Sequence, residues 1–195
     1  QVLLEKKGYK ILVTGDYKTT SDETSQNFEL VKTNTLVTEA TFGLPIFCHP
    51  NPIEETKKII YSLQNNPESN HLIGVYSLGK AQRIMSILRE IGYSNKIYVH
   101  GSIVKINNYY LSKKINLGQF IQVNKDNIKS LKGKIILAPP SALKDIWSRK
   151  INNKIIGQAS GWMSIKQRAK QKLIELPIIV SDHADWNELT KTVKD

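Results

Sequence analysis

From residue 52 to residue 165 the chain alternates short apolar runs of strand type with stretches of helical spacing, and that alternation limits the folds open to it. Ile59, Ile60 and Leu63 make an apolar stripe at helical spacing over residues 54–63. A strand-like run at 72–76 follows, and Ser77-Leu78-Gly79-Lys80 opens a helix through Ile84, Ile87, Leu88 and Ile91 that Gly92 stops. The spacing then predicts a strand at 96–99, a helix at 103–111, a strand at 135–138, a helix around 141–147 and a strand at 155–159. Strands alternating with helices over a block of about 110 residues predict an α/β fold, a parallel sheet covered on both faces.

The flanks have a different character. An apolar strand at 11–14 runs into Gly15-Asp16-Tyr17-Lys18, and a second at 35–38 runs into Glu39-Ala40-Thr41-Phe42-Gly43. Each of these consecutive strands delivers a carboxylate at its C-terminal end, where open sheets place their chemistry. After the block and the basic stretch at 166–172, a third strand at 177–180 ends in Ser181-Asp182-His183-Ala184-Asp185-Trp186, where a helix begins. The two flanks are expected to form one sheet interrupted by an inserted domain. The boundaries drawn are 1–50, 51–168 and 169–195.

Charge sharpens the list of partners without settling it. The net charge is +11, which attracts polyanions such as nucleic acid. Yet 24 of the 28 basic residues are lysines, in a chain also rich in isoleucine and asparagine, and an AT-rich genome yields that bias without selection for binding. A lone cysteine, Cys48, excludes a disulfide framework and a cysteine-rich zinc module. No apolar run approaches the ~18 residues of a membrane span, and the N-terminus carries no secretory pattern, so no membrane partner and a reducing cytoplasm are expected.

Each candidate residue has a structural reading beside its chemical one. Asp16 is either a turn residue after Gly15 or a carboxylate presented at a strand end. Glu39, framed by small residues after an apolar run, sits where a cation or a catalytic partner would be held. Gly79, Lys80 and Arg83 resemble a strand–glycine–helix phosphate site, although the Walker spacing is absent, and a Gly-Lys pair also simply punctuates helix starts. His183 lies between Asp182 and Asp185, whose carboxylates would orient it for proton transfer or metal ligation; the alternative is a helix cap at Asp182 with an incidental histidine. His49, His71 and His100 lack partners at ligand spacing and are read as surface or structural, despite Cys48 beside His49. Tyr109, Tyr110, Trp162 and Trp186 would stack bases if exposed and otherwise pack.

Taken in order, GDYK, TEATFGLP, GKAQR, VHG, LAPPS, ASGWM and SDHADW resemble the bacterial ligase-associated DNA exonuclease group. These are metallo-β-lactamase-fold nucleases with a β-CASP domain, relatives of mRNA 3′-end processing endonucleases and cross-link repair nucleases. The resemblance runs from about residue 11 to about residue 189. It implies that Asp16 bridges two zinc ions, and that Glu39 and His183 form the acid and histidine pair beside the scissile phosphate. It also implies that Gly79, Lys80, Arg83, Ser160 and Gly161 contact phosphates. The implied fold is a β-CASP domain inserted in a partial metallo-β-lactamase αββα sandwich, and the implied partner is DNA more than RNA, with a DNA ligase beside it.

The departures carry their own expectation. The family's H-x-H-x-D-H motif and its last zinc histidine are absent, leaving Asp16 alone of the usual ligands, whereas stable zinc sites use three or four. The chain therefore reads as a nuclease fragment truncated at both ends, inactive alone and binding no stoichiometric zinc unless the missing parts of a split enzyme join it. The competing readings are a nucleic-acid-binding β-CASP module without catalysis and the unstable product of a decaying gene.

Overall fold

The computed structural model describes residues 1–194 and is α/β, with two sheets. The smaller sheet holds β1 (Val2–Lys6), β2 (Tyr9–Val13) and β3 (Thr35–Val37). β1 and β2 form an antiparallel hairpin whose two turn residues, Lys7 and Gly8, both have positive φ, the twist a two-residue turn requires. β3 pairs with β2 in parallel, with Val37 opposite Val13. Every residue of β1 is exposed, while Leu12 in β2 is fully buried.

The larger sheet follows α1 (Pro52–Asn65) and contains β4 (Asn70–Gly74). It continues through α2 (Lys80–Glu90), β5 (Ile97–Val99), α3 (Gly101–Ser112), β6 (Phe120–Gln122) and β7 (Ile135–Ala138). α4 (Ile146–Arg149), β8 (Lys154–Ala159), α5 (Lys166–Gln171), β9 (Leu176–Ile178) and α6 (Trp186–Lys194) complete the chain. The spatial order is β6-β5-β7-β4-β8-β9, and every neighbouring pair is parallel.

Period-two alternation divides the strand residues between two cores. Ile73, Ile97, Val99, Ile135 and Leu137 face α1, α2 and α3, together with Ile59, Ile84, Leu88 and Ile103. Leu72, Ile136 and Ala138 face the opposite layer, with Leu143, Ile151, Met163 and Ala169. Fully burying one such side chain is worth about 1.5–3 kcal/mol, so this two-faced sheet is the stable body of the molecule. At its centre Asn70 and His71 are buried and satisfied. Asn70 donates to the carbonyls of Leu131 and Asn152, and His71 Nδ1 donates to the Ser69 carbonyl while Ser62 Oγ lies 2.8 Å from Nε2.

The structure differs from the sequence reading in three places. β6 was not anticipated, because three residues beside Gly118 make too short a run to show a period. The helix expected at 141–147 is a 3₁₀ turn (Pro140–Lys144) followed by the single-turn α4, interrupted where the Asp145 carboxylate caps Ile146. The last strand, expected beyond the boundary at 168, is the edge strand of the large sheet, since β9 pairs with β8 and the Ile179 amide donates to Glu55 Oε2 on α1. Among the described residues no helix is long and apolar enough to cross a membrane.

Candidate functional site

Parallel pairing of β2 with β3 brings their C-terminal ends together, and Asp16 and Glu39 lie just past those ends. Gly15, at φ +62°, turns the chain out of β2 so that Asp16 stands clear of the sheet, its side chain 76% exposed. Glu39 is the reverse, with a side chain only 6% exposed. Its Oε1 accepts the Tyr17 amide at 2.9 Å, so the residue after Asp16 is tied to the Glu39 carboxylate.

The third member arrives from the far end of the chain. Beyond β9, Ser181 Oγ accepts the His183 amide at 3.0 Å and shapes a turn that presents the imidazole. His183 Nδ1 lies 2.8 Å from Glu39 Oε2 and 3.9 Å from Asp16 Oδ1. One ligand-type atom from each of Asp16, Glu39 and His183 falls within a 4.8 Å cluster. An ionised Glu39 accepts only, so Nδ1 carries the proton and Nε2 is left to act on another group.

The electrostatics reinforce this assignment. The hydrogen bond to Glu39 raises the His183 pKa above the ordinary histidine range, and the charges of Glu39 and Asp16 add to it, against burial and Lys80. For Glu39 burial is the largest single influence and pushes upward. The hydrogen bonds from His183, Tyr17 and Thr41 and the charge on His183 together outweigh it, leaving the carboxyl below its usual range. The contact thus favours the ionised acid and the protonated imidazole together.

An aromatic wall backs the pair. The Phe42 ring lies 4.6 Å from His49, 4.9 Å from Trp162 and 6.1 Å from His183, centroid to centroid. Gly161 completes this packing, because a Cβ there would meet Phe42 Cζ at 2.5 Å and His49 Cε1 at 2.8 Å. Gly161 is thus a buried packing position, and Ser160 Oγ accepts the Trp162 amide at 3.3 Å as the cap of a 3₁₀ turn (Gly161–Ser164). His49, read as surface or structural, is part of the wall.

Lys80 and Arg83, expected at a phosphate, are instead buried, at 3% and 4% exposure, and are engaged inside the protein. Lys80 Nζ reaches Asp182 and the Val180 carbonyl, and Arg83 reaches Asp22, Asp182 and the Ser181 carbonyl. Gly79, at φ +79°, caps α2 and borders a cleft of about 850 Å³ that also adjoins Asp16, Asp22, Tyr110 and Asp182. The helix cap considered at Asp182 belongs to Asp185, whose Oδ1 accepts the Glu188 amide while Glu188 Oε2 accepts the Asp185 amide, both at 3.0 Å. That reciprocal capping box is written in the D-x-x-E spacing and was legible there. The role of Lys18 and the pairing of Asp22 with Arg83 depend on tertiary contacts alone.

The sequence has named relatives. The chain is similar to Cleavage and polyadenylation specificity factor subunit 3 of Dictyostelium discoideum, 33% identical over 114 residues, which are 56% of this chain and 14% of that protein. It is 32% identical over 139 residues to Endoribonuclease YSH1 of Gibberella zeae, covering 66% of this chain and 16% of the relative. Endoribonuclease ysh1 of Aspergillus fumigatus matches over the same length at 30% identity, with 15% of that protein covered. The chain therefore spans only 14 to 16% of the length of these curated relatives. No family model matches the chain.

A two-zinc centre does not fit the residues present. Among the described residues the single group of ligand type is Asp16, Glu39 and His183, and two of these three already bind each other. Asp16 alone offers an uncommitted, exposed carboxylate, against the three or four protein ligands of a stable zinc ion.

Proposed function

We propose that this chain is the β-CASP-bearing stretch of a metallo-β-lactamase-fold nuclease that hydrolyses nucleic-acid phosphodiesters. On this reading the large sheet and its helices are the β-CASP body, and the small sheet and the segment around α6 are flanking parts of the metallo-β-lactamase domain. The observation that carries it is the His183–Glu39 pair beside an exposed Asp16, assembled from three separated motifs at one edge. A water oxygen bonds to phosphorus, losing its proton to solvent, as the P–O bond to the leaving oxygen breaks; His183 Nε2–H gives that oxygen its proton and becomes neutral, while the ionised Glu39 keeps Nδ1–H in place. Asp16 is the carboxylate that a zinc centre completed by further ligands would use.

The relatives' printed names speak of endoribonucleases and of cleavage and polyadenylation, which favours RNA as the substrate; the motif order resembles a DNA exonuclease group, which favours DNA. The test is cleavage of end-labelled single-stranded RNA, and of the same sequence as DNA, by the natural polypeptide that contains these residues. His183→Gln should lower the rate at least about 100-fold. Product lengths separate internal cuts from stepwise trimming. Undiminished cleavage by His183→Gln, or no cleavage of either polymer by the unaltered protein, sinks the reading.

A second reading, nucleic-acid binding without catalysis, draws on the small ligand set around Asp16. Salt-dependent binding without cleavage would favour it.

A further inference from the structure

We infer that Lys80 and Arg83, on the first turn of α2, are positioning residues that fix His183 relative to Asp16 and make no phosphate contact. The inference rests on the reading of His183 as the acting group, and it concerns how that group is placed.

Four charged side chains form a closed set. Arg83 Nε pairs with Asp22 Oδ2 at 2.9 Å, and Lys80 Nζ pairs with Asp182 Oδ2 at 3.1 Å. Arg83 Nη1 adds a longer contact of 3.7 Å to Asp182 Oδ1. Two cations meet two carboxylates, so the set has no net charge to offer a phosphodiester. Both cations are also less than 5% exposed, so a phosphate in the adjoining cleft, which Arg83 lines, would have to displace their carboxylate partners.

The backbone contacts show what the set does instead. Lys80 donates to the Val180 carbonyl at 3.1 Å, and Arg83 donates to the next carbonyl, Ser181, at 2.6 Å. Those carbonyls immediately precede Asp182 and His183, so α2 grips the stem of the turn that presents the imidazole. Through its other nitrogen Arg83 grips Asp22, which shapes the loop beyond Asp16 by accepting the Thr24 amide at 2.7 Å. One guanidinium therefore spans the loop after Asp16 and the loop before His183. A lysine at position 83 would keep the charge but not the planar fork that reaches both.

The experiment compares the full chain with Arg83→Lys, Lys80→Met and Asp22→Asn. Amide hydrogen exchange is followed over residues 180–185 and over β4, and the histidine ring signals are followed by nitrogen-15 NMR. Arg83→Lys should speed exchange at 180–185 at least about tenfold, leave β4 protected, and move the His183 ring signal while those of His71 and His100 stay in place. Asp22→Asn should do the same in milder form, which covers the case in which a core cation variant does not fold. Unchanged exchange at 180–185 in folded variants overturns the inference. So does a loss of protection in β4 equal to that at 180–185, which marks a general structural role. Binding of a single-stranded oligonucleotide adds a third arm. A salt slope that falls by about one in Lys80→Met would make Lys80 a phosphate contact and overturn it. The cleavage assay with His183→Gln tests the underlying reading separately, since none of these signals requires activity.

Discussion

Glu188 and Lys18 meet at 2.6 Å, joining the helix that follows His183 to the loop that follows Asp16. The same carboxylate accepts the amides and hydroxyls of Thr19 and Thr20 and the amide of Asp185, six donors in all. Burial is the largest single influence on its pKa and pushes upward. The Lys18 hydrogen bond, the Asp185 amide, the Lys18 charge and Thr19 more than reverse it, holding Glu188 at about 2. A carboxyl depressed in the folded state stabilises the fold above its unfolded pKa of roughly 4.3, and that stability is lost as pH falls toward 2. Glu188→Gln is therefore expected to cost about 2 kcal/mol at pH 7 and to flatten the stability profile between pH 5 and pH 2. Urea unfolding at four pH values across that window checks both; a parallel loss in variant and parent denies the coupling.

Gly161 predicts a steric penalty. Alanine there sets a Cβ against Phe42 and His49, and a packed wall has little room to yield. Gly161→Ala should lose about 1–3 kcal/mol, and a second change, Phe42→Leu, should recover part of that loss. A thermal melt of the two single variants and the double measures it. Additive losses would show that the two positions do not touch.

Metal content follows from the donor set. With Glu39 and His183 bound to each other, the chain is expected to hold well under one zinc per molecule after dialysis, and added zinc should barely move its melting temperature. Asp16→Asn, at an exposed position, should change stability by no more than about 0.5 kcal/mol. Two tightly held zinc ions by elemental analysis would contradict this expectation.

The small sheet predicts an association hazard. Val2, Leu3 and Leu4 on β1 are 57%, 41% and 54% exposed, and an exposed apolar edge strand invites pairing with another chain. Light scattering should show association that rises with concentration. Leu3→Lys and Leu4→Lys together should suppress it without lowering the melting temperature.

Much of this architecture was legible in the sequence because local patterns carried it. The apolar runs at Leu72-Ile73 and Ile135-Ile136-Leu137 marked buried parallel strands, and Gly92 marked a helix end. The carboxylates at the ends of β2 and β3 were visible as a pair, and their meeting with His183 followed the motif order. The burial of Lys80 and Arg83 was not legible, for a physical reason. A cation beside a helix-capping glycine looks free in one dimension, and the Val180 and Ser181 carbonyls that engage it are 100 and 98 residues further along. The packing role of Gly161 was hidden in the same way: its need for a bare backbone comes from Phe42 and His49, far away in sequence.

The Glu39–His183 contact joins residues 144 apart, which gives the site an order of assembly. Closing so long a loop costs entropy that local contacts do not, which favours forming this pair after the local contacts. At a synthesis rate of roughly 5–20 residues per second, Glu39 waits on the order of ten seconds before His183 exists to meet it. All six strands of the large sheet have been synthesised by then. An acid–imidazole pair able to move a proton is thus withheld from the nascent chain until the body that positions it is nearly complete.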